Sequence, residues 1–293
     1  MNNWINSPNF IHIELTSRCN KVPSCWMCGR RRMEKEHPEL CNWGDMDFEL
    51  LKKIAKEVPK GIVVHLHNNG EPTLYPKLRE AIKLFKDQIT HFDSNCILLL
   101  KKSDEIIDNL DILTVSVIEN DPLGDKQFET VKKFLEIKKD RKPRVVFRLL
   151  GDIGILTTYE KYRELINYED CFSDKHRKQR WYDLAKKYNC TIATRTLHSP
   201  YGSYNYEKKV TVPEIGICWE LLTHLSIDRF GNVYPCVRYN PYKYNLLGNV
   251  KNKSLLELWN SKKRLKLIEE HKKGNRSYSE LCAKCDYYGI PVG

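Results

Sequence analysis

Three cysteines lie within ten residues near the start of the chain, in the stretch ELTSRCNKVPSCWMCGR that runs from 14 to 30. They are Cys19, Cys25 and Cys28. Three thiolates on one short loop can ligate three irons of a 4Fe–4S cluster and leave the fourth iron open to a non-protein ligand. A structural zinc site usually takes four protein ligands, and the loop contains no fourth cysteine or histidine. The loop alone favours an iron–sulfur cluster, with zinc or buried free thiols as alternatives.

A second set of cysteines lies late in the chain, where Cys218 and Cys236 are followed by the C-A-K-C pair Cys282 and Cys285. Four thiolates suit one fully ligated 4Fe–4S cluster, and a four-cysteine zinc site is the alternative. The chain has 11 cysteines, an odd number, and its first residues do not resemble a signal peptide, so disulfides are not expected. The two sets predict two metal sites in two regions.

The composition predicts a soluble globular protein of 293 residues, long enough for one large and one smaller domain. Apolar residues make up 41% and charged residues 30% of the chain. No run approaches the ~20 apolar residues of a membrane helix, so we expect a cytoplasmic protein without a membrane partner. The formal net charge of +11 is spread over Lys-rich segments. Such segments are either solvated helix faces or a surface for an anionic partner.

Apolar strands alternate with amphipathic helices from residue 10 to about residue 196. We predict strands at 10–16, 62–67, 89–94, 111–118, 144–150 and 190–196, and helices at 47–58, 76–86, 126–139 and 178–189. Strands and helices in alternation predict parallel strands joined by right-handed crossovers, in a partial barrel or a doubly wound sheet. In both architectures, functional residues lie at the carboxyl ends of the strands.

The rest of the chain has a different pattern. The segment 197–216 is rich in Tyr, Pro, Gly and Ser and has no clear period, so we interpret it as a linker. A hairpin is predicted at 224–236, and one helix at 254–270 that opens with a capping box of Ser254 and Glu257. The predicted parts are a first domain at 1–196, a linker at 197–217 and a C-terminal domain at 218–293.

Four polar segments follow the first four predicted strands. The cysteine loop follows the first strand, N-N-G-E-P (68–72) the second, Ser94-Asn95 the third, and S-V-I-E-N (116–120) closes the fourth. Because the carboxyl ends of parallel strands meet at one rim, we expect these segments to form one site.

Together these motifs resemble those of the radical S-adenosylmethionine (SAM) superfamily. The segments SIDRFGNVYPC, LLGNV, SLLELW and C-x2-C are similar to the SPASM/twitch extension of many such enzymes. The resemblance implies an α/β fold, a partial (β/α)6 TIM-like barrel with a small C-terminal α+β twitch-type extension. It also implies that Cys19, Cys25 and Cys28 bind a 4Fe–4S cluster whose open iron binds SAM. One electron, from a reductant such as flavodoxin or ferredoxin, then cleaves SAM to a 5′-deoxyadenosyl radical that abstracts a hydrogen atom from the substrate.

The resemblance also implies contacts to SAM. Gly70 and Glu71 match the G-E-P motif, whose backbone-led contact reaches the SAM amino group. Ser116 and Arg148 occupy positions on strands four and five that often meet the ribose and the carboxylate. A barrel-lining Ser and a surface Arg are the alternatives. Met27 stands where an aromatic residue commonly packs beside the adenine.

The sequence departs from the family pattern in its loops and its tail. The cysteine loop is C-x5-C-x2-C and not C-x3-C-x2-C, and the usual G-G-E-P is N-G-E-P. Neither change removes a ligand. Full SPASM domains carry about seven cysteines and two auxiliary clusters, whereas this tail has four. The resemblance to the shorter twitch form therefore implies one auxiliary cluster, with a role in electron transfer or in structure, on these ligands: Cys218, Cys236, Cys282 and Cys285.

Further residues near the rim are candidates for chemistry. His65 and His67 alternate along a strand and so point to one face. They are candidates for binding a ligand or for moving a proton, and packing is the alternative. Cys96 is a candidate donor of a hydrogen atom to a substrate radical, or a small buried apolar residue. The tyrosines in 201–206 are candidates for contacting the substrate or for stacking on a nucleic-acid base, and packing is the alternative. Three acidic residues near strand ends are candidate bases: Asp93, Glu119 and Asp152.

We therefore predict a radical SAM enzyme that oxidises, epimerises or cross-links a peptide or a small amino or hydroxyl compound. One alternative, motivated by the net charge and the linker tyrosines, is radical SAM modification of a DNA or RNA base. Another is a non-enzymatic zinc or iron–sulfur binding module. The strand-end motifs argue against the module, because a structural metal site does not need G-E-P on a neighbouring loop.

Overall fold

The computed structural model describes residues 7–21, 25, 28–118, 121–150, 174–195, 216–237, 240, 242–283 and 285. Within these ranges, nine strands form one sheet. The strands are β1 (Phe10–Ile13), β2 (Val63–His65), β3 (Ile89–Ser94), β4 (Ile112–Ile118), β5 (Arg144–Leu150), β6 (Thr191–Arg195), β7 (His224–Ile227), β8 (Asn232–Tyr234) and β9 (Gly248–Asn249).

Ten α-helices lie within the described ranges. They are α1 (Gly29–Glu36), α2 (Phe48–Glu57), α3 (Leu78–Lys83), α4 (Ser103–Ile106), α5 (Gly124–Lys138), α6 (Asp174–Tyr188), α7 (Trp219–Thr223), α8 (Leu255–Trp259), α9 (Lys262–Lys272) and α10 (Glu280–Ala283). Short 3-10 turns follow α1 at Pro38–Leu40, β2 at Pro72–Leu74 and α9 at Arg276–Tyr278. None of the described helices is both long and apolar enough to cross a membrane.

Strands β1 to β6 are parallel and neighbour one another in the order in which they occur in the chain. Among β1 to β6 the order does not reverse, in contrast to the strand order of doubly wound sheets. This confirms the predicted α/β fold with a barrel-type sheet.

The two faces of the sheet differ in polarity. One face carries Ile11, Val64 and Phe92, which are fully buried in the apolar core shared with the helices. The alternate positions on the same strands carry polar side chains, among them His12 and His65, which contact each other. Because side chains alternate along a strand, one face packs under the helices and the other becomes a polar inner wall.

Helices cover the apolar face through residues at helical spacing. Asp47 is the N-cap of helix α2, and its carboxylate accepts a hydrogen bond from the Leu50 amide at 2.9 Å. The helix buries Leu51 and Ile54 against the sheet. Such an N-cap satisfies a helix amide that has no partner within the helix. These contacts fix the helices on the sheet and leave the strand ends free to form loops.

The C-terminal segment continues the barrel sheet. Strand β7 pairs with β1 in parallel, from Phe10 opposite His224 to Ile13 opposite Ile227. Strands β8 and β9 then add antiparallel neighbours. The backbone amide of Leu255, at the start of α8, donates to the Glu57 carboxylate of α2 at 2.7 Å. The predicted hairpin is therefore joined directly to the first strand of the barrel.

The predicted helix at 254–270 is wrong in one respect, because the structure has two helices there. Helix α8 ends at Asn260, and Ser261 caps α9 by accepting from the Arg264 amide at 3.4 Å. Asn and Ser side chains compete for backbone hydrogen bonds and so favour helix ends. The predicted capping box of Ser254 and Glu257 is present.

Arg264 tests how the C-terminal helices are held together. Its side chain is 4% exposed, lies 3.2 Å from the Trp259 ring centroid, and donates to the carbonyls of Trp259 at 3.0 Å and Leu221 at 2.6 Å. Arg264→Met keeps most of the packing but loses both charged hydrogen bonds, so we expect stability to fall by about 2 kcal/mol. Thermal unfolding measures the change. The exposed Lys262→Met serves as control, and equal melting temperatures for the two variants would contradict this account.

Candidate active site

The three cysteines of the first loop follow β1. The side chains of all three cysteines are partly buried. The loop is folded back on itself, since the Cys25 amide donates to the Lys21 carbonyl at 3.1 Å and the Cys28 amide to the Cys25 carbonyl at 3.2 Å. Cys28 is the N-cap residue of α1. This arrangement places Cys28 at the start of a helix, where the helix dipole favours negative charge.

Burial raises the pKa of all three thiols, to about 12 in Cys25, where the neighbouring Cys28 adds to the effect. Cys19 also raises the pKa of Cys28 by electrostatic interaction, so the three thiols act on one another. Thiolates gathered in this way need a cation among them, and metal binding would release their protons. The donor set therefore fits an iron–sulfur cluster.

A buried ion pair anchors the long cysteine loop. Lys21, inside the C-x5-C segment, pairs with Asp121, and their side chains are 3% and 2% exposed. Asp121 lies just beyond β4 and also accepts from the Leu123 amide at 3.0 Å. Breaking a buried pair of this kind on one side costs several kcal/mol, because one charge is left without compensation. The loop that carries the cysteines is thus fixed to the segment that follows β4, across the inner side of the sheet.

Gly70 brings the G-E-P loop against the end of β1. A Cβ atom at this position would lie 1.9 Å from the Thr16 carbonyl oxygen and 2.8 Å from the Arg18 carbonyl oxygen. The next amide, that of Glu71, donates to the Arg18 carbonyl at 2.8 Å. Only glycine permits this close approach of two backbones, which places the motif beside Cys19.

The Glu71 carboxylate is the centre of a hydrogen-bond network and is 2% exposed. It accepts from the Thr73 hydroxyl at 2.7 Å, the Ser94 hydroxyl at 2.8 Å and the Asn95 amide at 2.8 Å. Burial raises the pKa of Glu71, and these hydrogen bonds oppose that effect. The carboxylate is occupied within the protein, so any contact of this motif to a ligand falls to the backbone, as expected.

Asn95 connects the network to the cysteine loop and to β4. Its side-chain amide donates to Asn20 Oδ1 at 2.9 Å and approaches Cys19 Sγ at 3.9 Å. Its carbonyl accepts from Gln127 Nε2 at 3.1 Å, and the same Gln127 group donates to the Ser116 carbonyl at 2.9 Å. The predicted strand-end segments therefore do meet at one rim. Sequence reasoning missed Gln127 and Lys21, since no motif marks them.

Cys96 follows Asn95 at the rim, but its side chain lies in the apolar core. Its side chain has no exposed area, belongs to the apolar core, and donates to the Ser94 carbonyl at 3.6 Å. The backbone at Cys96 has φ +65°, which turns the chain back into the core directly after β3. This burial favours the second interpretation, a small buried apolar residue, and the role as a hydrogen-atom donor stays a prediction.

Arg148 points into the polar inner face and is not a surface residue. It forms an ion pair with Asp93, and both side chains are 11% exposed. Ser116 is the register partner of Arg148 on the neighbouring strand. Arg148 thus has a carboxylate partner already, and its contact to SAM remains a prediction, as does that of Ser116.

Five histidines meet on this inner face, where His65 stacks on His91 with ring centroids 4.3 Å apart. His65 Nε2 donates to Asp93 Oδ1 at 3.1 Å. Burial lowers the pKa of His91 to about 3 and that of His67 to about 4. Burial opposes ionisation of Asp93, but Arg148 and His65 hold its pKa well below the usual range. The imidazoles of His67 and His91 are therefore neutral near pH 7, beside one compensated carboxylate. The other two histidines are His12 and His224.

The four cysteines of the C-terminal segment line one cavity. Asn245 Nδ2 lies 3.8 Å from Cys282 Sγ, and the Cys285 amide donates to the Cys282 carbonyl at 3.2 Å. Burial raises the pKa of Cys282 to about 11. Residues as distant in sequence as Cys218 and Cys285 share this cavity, so the donor set fits one fully ligated metal centre. The cavity is lined by Cys218, Glu220, Leu221, Pro235, Cys236, Asn245, His271, Leu281, Cys282 and Cys285.

Some predicted residues lie outside the described part of the chain. They are Met27, Glu119, Asp152 and the tyrosines within 201–206. Their assigned roles remain predictions.

Comparisons with known proteins agree with this architecture. Residues 218–286 match the family model of SPASM, an iron–sulfur cluster-binding domain. Three radical SAM enzymes have a similar fold. BtrN in complex with AdoMet and 2-DOIA is 16% identical with a TM-score of 0.55, and the match covers 96% of this chain and 95% of BtrN. A search of curated protein sequences found no match.

The other two structures are similar to the same degree. SuiB of Streptococcus suis bound to its precursor peptide SuiA is 14% identical, with a TM-score of 0.55 over 96% of this chain and 71% of SuiB. The enzyme anSMEcpe with bound AdoMet is 17% identical, with a TM-score of 0.54 over 95% of this chain and 87% of that chain. The chain therefore has the same fold as these three enzymes, and its C-terminal segment matches the SPASM domain model. These findings confirm the predicted fold and the resemblance of the C-terminal segment to a SPASM-type extension.

Glu71→Gln tests the network at the rim. The substitution puts an amide group where an oxygen accepts from donors, so at least one buried N–H or O–H loses its acceptor and stability falls by about 2–3 kcal/mol. Thermal unfolding of the metal-free protein measures the loss, with the exposed Glu80→Gln as matched control. A melting temperature of Glu71→Gln equal to that of the control would show that the carboxylate does not organise the rim.

Proposed function

We propose that this chain, a SPASM-containing protein with the radical SAM fold, is an enzyme that uses SAM to abstract a hydrogen atom from its substrate. The observation that carries the proposal is the rim itself, where the cysteine loop, Gly70 and Asn95 are bound to one another. A purely structural metal site would need only the cysteines. Here, the backbone of the G-E-P loop also lies beside them, and the hydrogen bonds of the Glu71 carboxylate hold it there.

In the proposed site, Cys19, Cys25 and Cys28 hold a 4Fe–4S cluster, and SAM binds next to it. When bound, these groups supply a one-electron cleavage of SAM that yields a carbon radical able to take hydrogen from an unactivated C–H bond. The protein orients the reactants and keeps quenchers away. Gly70 contributes close backbone approach, and the buried pair of Lys21 and Asp121 holds the loop rigid.

The C-terminal cavity holds a second cluster in this proposal, on Cys218, Cys236, Cys282 and Cys285. Its fit rests on the match to an iron–sulfur domain and on the four thiols that line one cavity. An auxiliary cluster of this kind passes electrons or stabilises the domain. A one-electron reductant such as flavodoxin or ferredoxin is the proposed external partner.

The polar inner wall indicates the class of substrate. Asp93 and Arg148 form a charged pair there, and neutral imidazoles such as His67 offer both donors and acceptors. Such a surface suits hydroxyl and amino groups better than an apolar compound. We therefore propose oxidation, epimerisation or cross-linking of a small amino or hydroxyl compound or of a peptide. A peptide is bound by SuiB, and 2-DOIA by BtrN.

Cleavage of SAM tests the proposal directly. After anaerobic reconstitution with iron and sulfide and addition of a chemical reductant, we expect the wild-type chain to form 5′-deoxyadenosine, measured by mass spectrometry. Cys28→Ala should lose this activity by at least about a hundredfold, because the cluster then has two protein ligands. Cys41→Ala, a partly exposed cysteine outside the ligand set, is the matched control. Equal product from Cys28→Ala and wild type would refute the proposal.

A further inference from the structure

A second type of metal donor set lies on the polar inner face, away from both cysteine sites. One nitrogen each of His65 and His67 and one carboxylate oxygen of Asp93 lie within 4.8 Å of one another. We propose that these three residues form a site for a single divalent first-row transition ion, such as Zn²⁺ or Fe²⁺. Two imidazoles and one carboxylate are a donor set that such ions prefer.

The topology of the sheet brings these residues together. His65 and His67 alternate on β2 and its extension, so both face the inner wall. His65 is the register partner of His91 on β3, which places His67 beside Asp93 two residues further on. Backbone pairing therefore brings His65 and Asp93 together, and His67 lies two residues beyond the end of β2.

The distances are within reach of one ion. His65 Nε2 lies 3.1 Å from Asp93 Oδ1. In a tetrahedral site with ligand bonds of about 2.0–2.2 Å, two donors of one ion lie about 3.3–3.6 Å apart. The pair of His65 and Asp93 is already close to this separation, and the limit of 4.8 Å for the whole set leaves at most about 1.5 Å to be closed by side-chain rotation.

Each proposed ligand has a hydrogen-bond partner on another of its polar atoms. His65 Nδ1 contacts His12 Nδ1 at 2.8 Å, and His67 Nε2 donates to the Gly70 carbonyl at 3.1 Å. The second oxygen of Asp93 accepts from Arg148. Such outer partners fix the imidazole tautomer and the carboxylate orientation at metal sites. The bond to Gly70 leaves His67 Nδ1 with its lone pair.

The burial pattern favours a site with access from the inner face. His65 and Asp93 are buried, while His67 is partly exposed. Three protein ligands also leave a four-coordinate ion with one open position. A hydroxyl, amino or carboxylate group of a bound molecule is the chemistry that would occupy it.

Cobalt(II) is the probe for this site. The reconstituted protein, with its cysteine sites occupied, is titrated anaerobically with Co²⁺ and desalted, and cobalt and iron per chain are measured by mass spectrometry. We expect about one cobalt per chain with iron unchanged, and at least tenfold weaker cobalt binding in His67→Gln. His37→Gln, which changes a histidine outside the inner wall, is the matched control and should retain cobalt.

The outcome separates this site from the clusters. Cobalt binding of His67→Gln equal to that of His37→Gln would overturn the proposal, as would wild-type protein that retains no cobalt. Asp93→Asn is a second test, because it removes the carboxylate charge. It should weaken cobalt binding by a factor similar to that for His67→Gln. Thermal unfolding confirms that each variant is folded. Loss of iron in wild type would instead count against the proposed function, since iron reports the cysteine sites.

Discussion

The buried carboxylate of Glu71 is the interaction on which the rim depends. It accepts hydrogen bonds from Thr73 on its own loop and from Ser94 and Asn95 at the end of β3. Asn95 in turn reaches the cysteine loop, so three strand ends share one polar centre. An unpaired carboxylate at 2% exposure would be costly, and its donors have few alternatives. Protein groups alone thus connect the described parts of these three loops.

The inner wall shows a second consequence of strand alternation. The residues Ile11, Val64 and Phe92 face the helices and stabilise the fold. The positions between them do not pack under the helices, so their side chains can be polar. In closed barrels these interior positions are mostly filled with branched apolar side chains. In this chain they hold imidazoles and the pair of Asp93 and Arg148 instead. A polar interior below a rim of cofactor loops is an arrangement suited to binding a polar molecule.

Much of the fold could be predicted from local patterns, because strands such as 89–94 and 144–150 are bounded by turn residues and carry clear apolar runs. Gly70 and Glu71 were found through a motif. Features set by distant residues could not be predicted: Lys21 and Asp121 are 100 positions apart. For Cys96 the sequence left two interpretations open, because no local pattern reveals that its side chain lies in the apolar core. The pairing of β7 with β1 was missed, since no local pattern reveals which strands become neighbours.

Iron content tests the central claim most directly, because the account requires two cluster sites on separate cysteine sets. After anaerobic reconstitution, the wild-type chain should hold about eight irons, corresponding to two 4Fe–4S clusters. Replacing Cys19, Cys25 and Cys28 together by Ala should leave about four, on the SPASM domain. If wild type and this variant both hold about four irons, the opening loop carries no cluster and the proposed radical chemistry loses its basis.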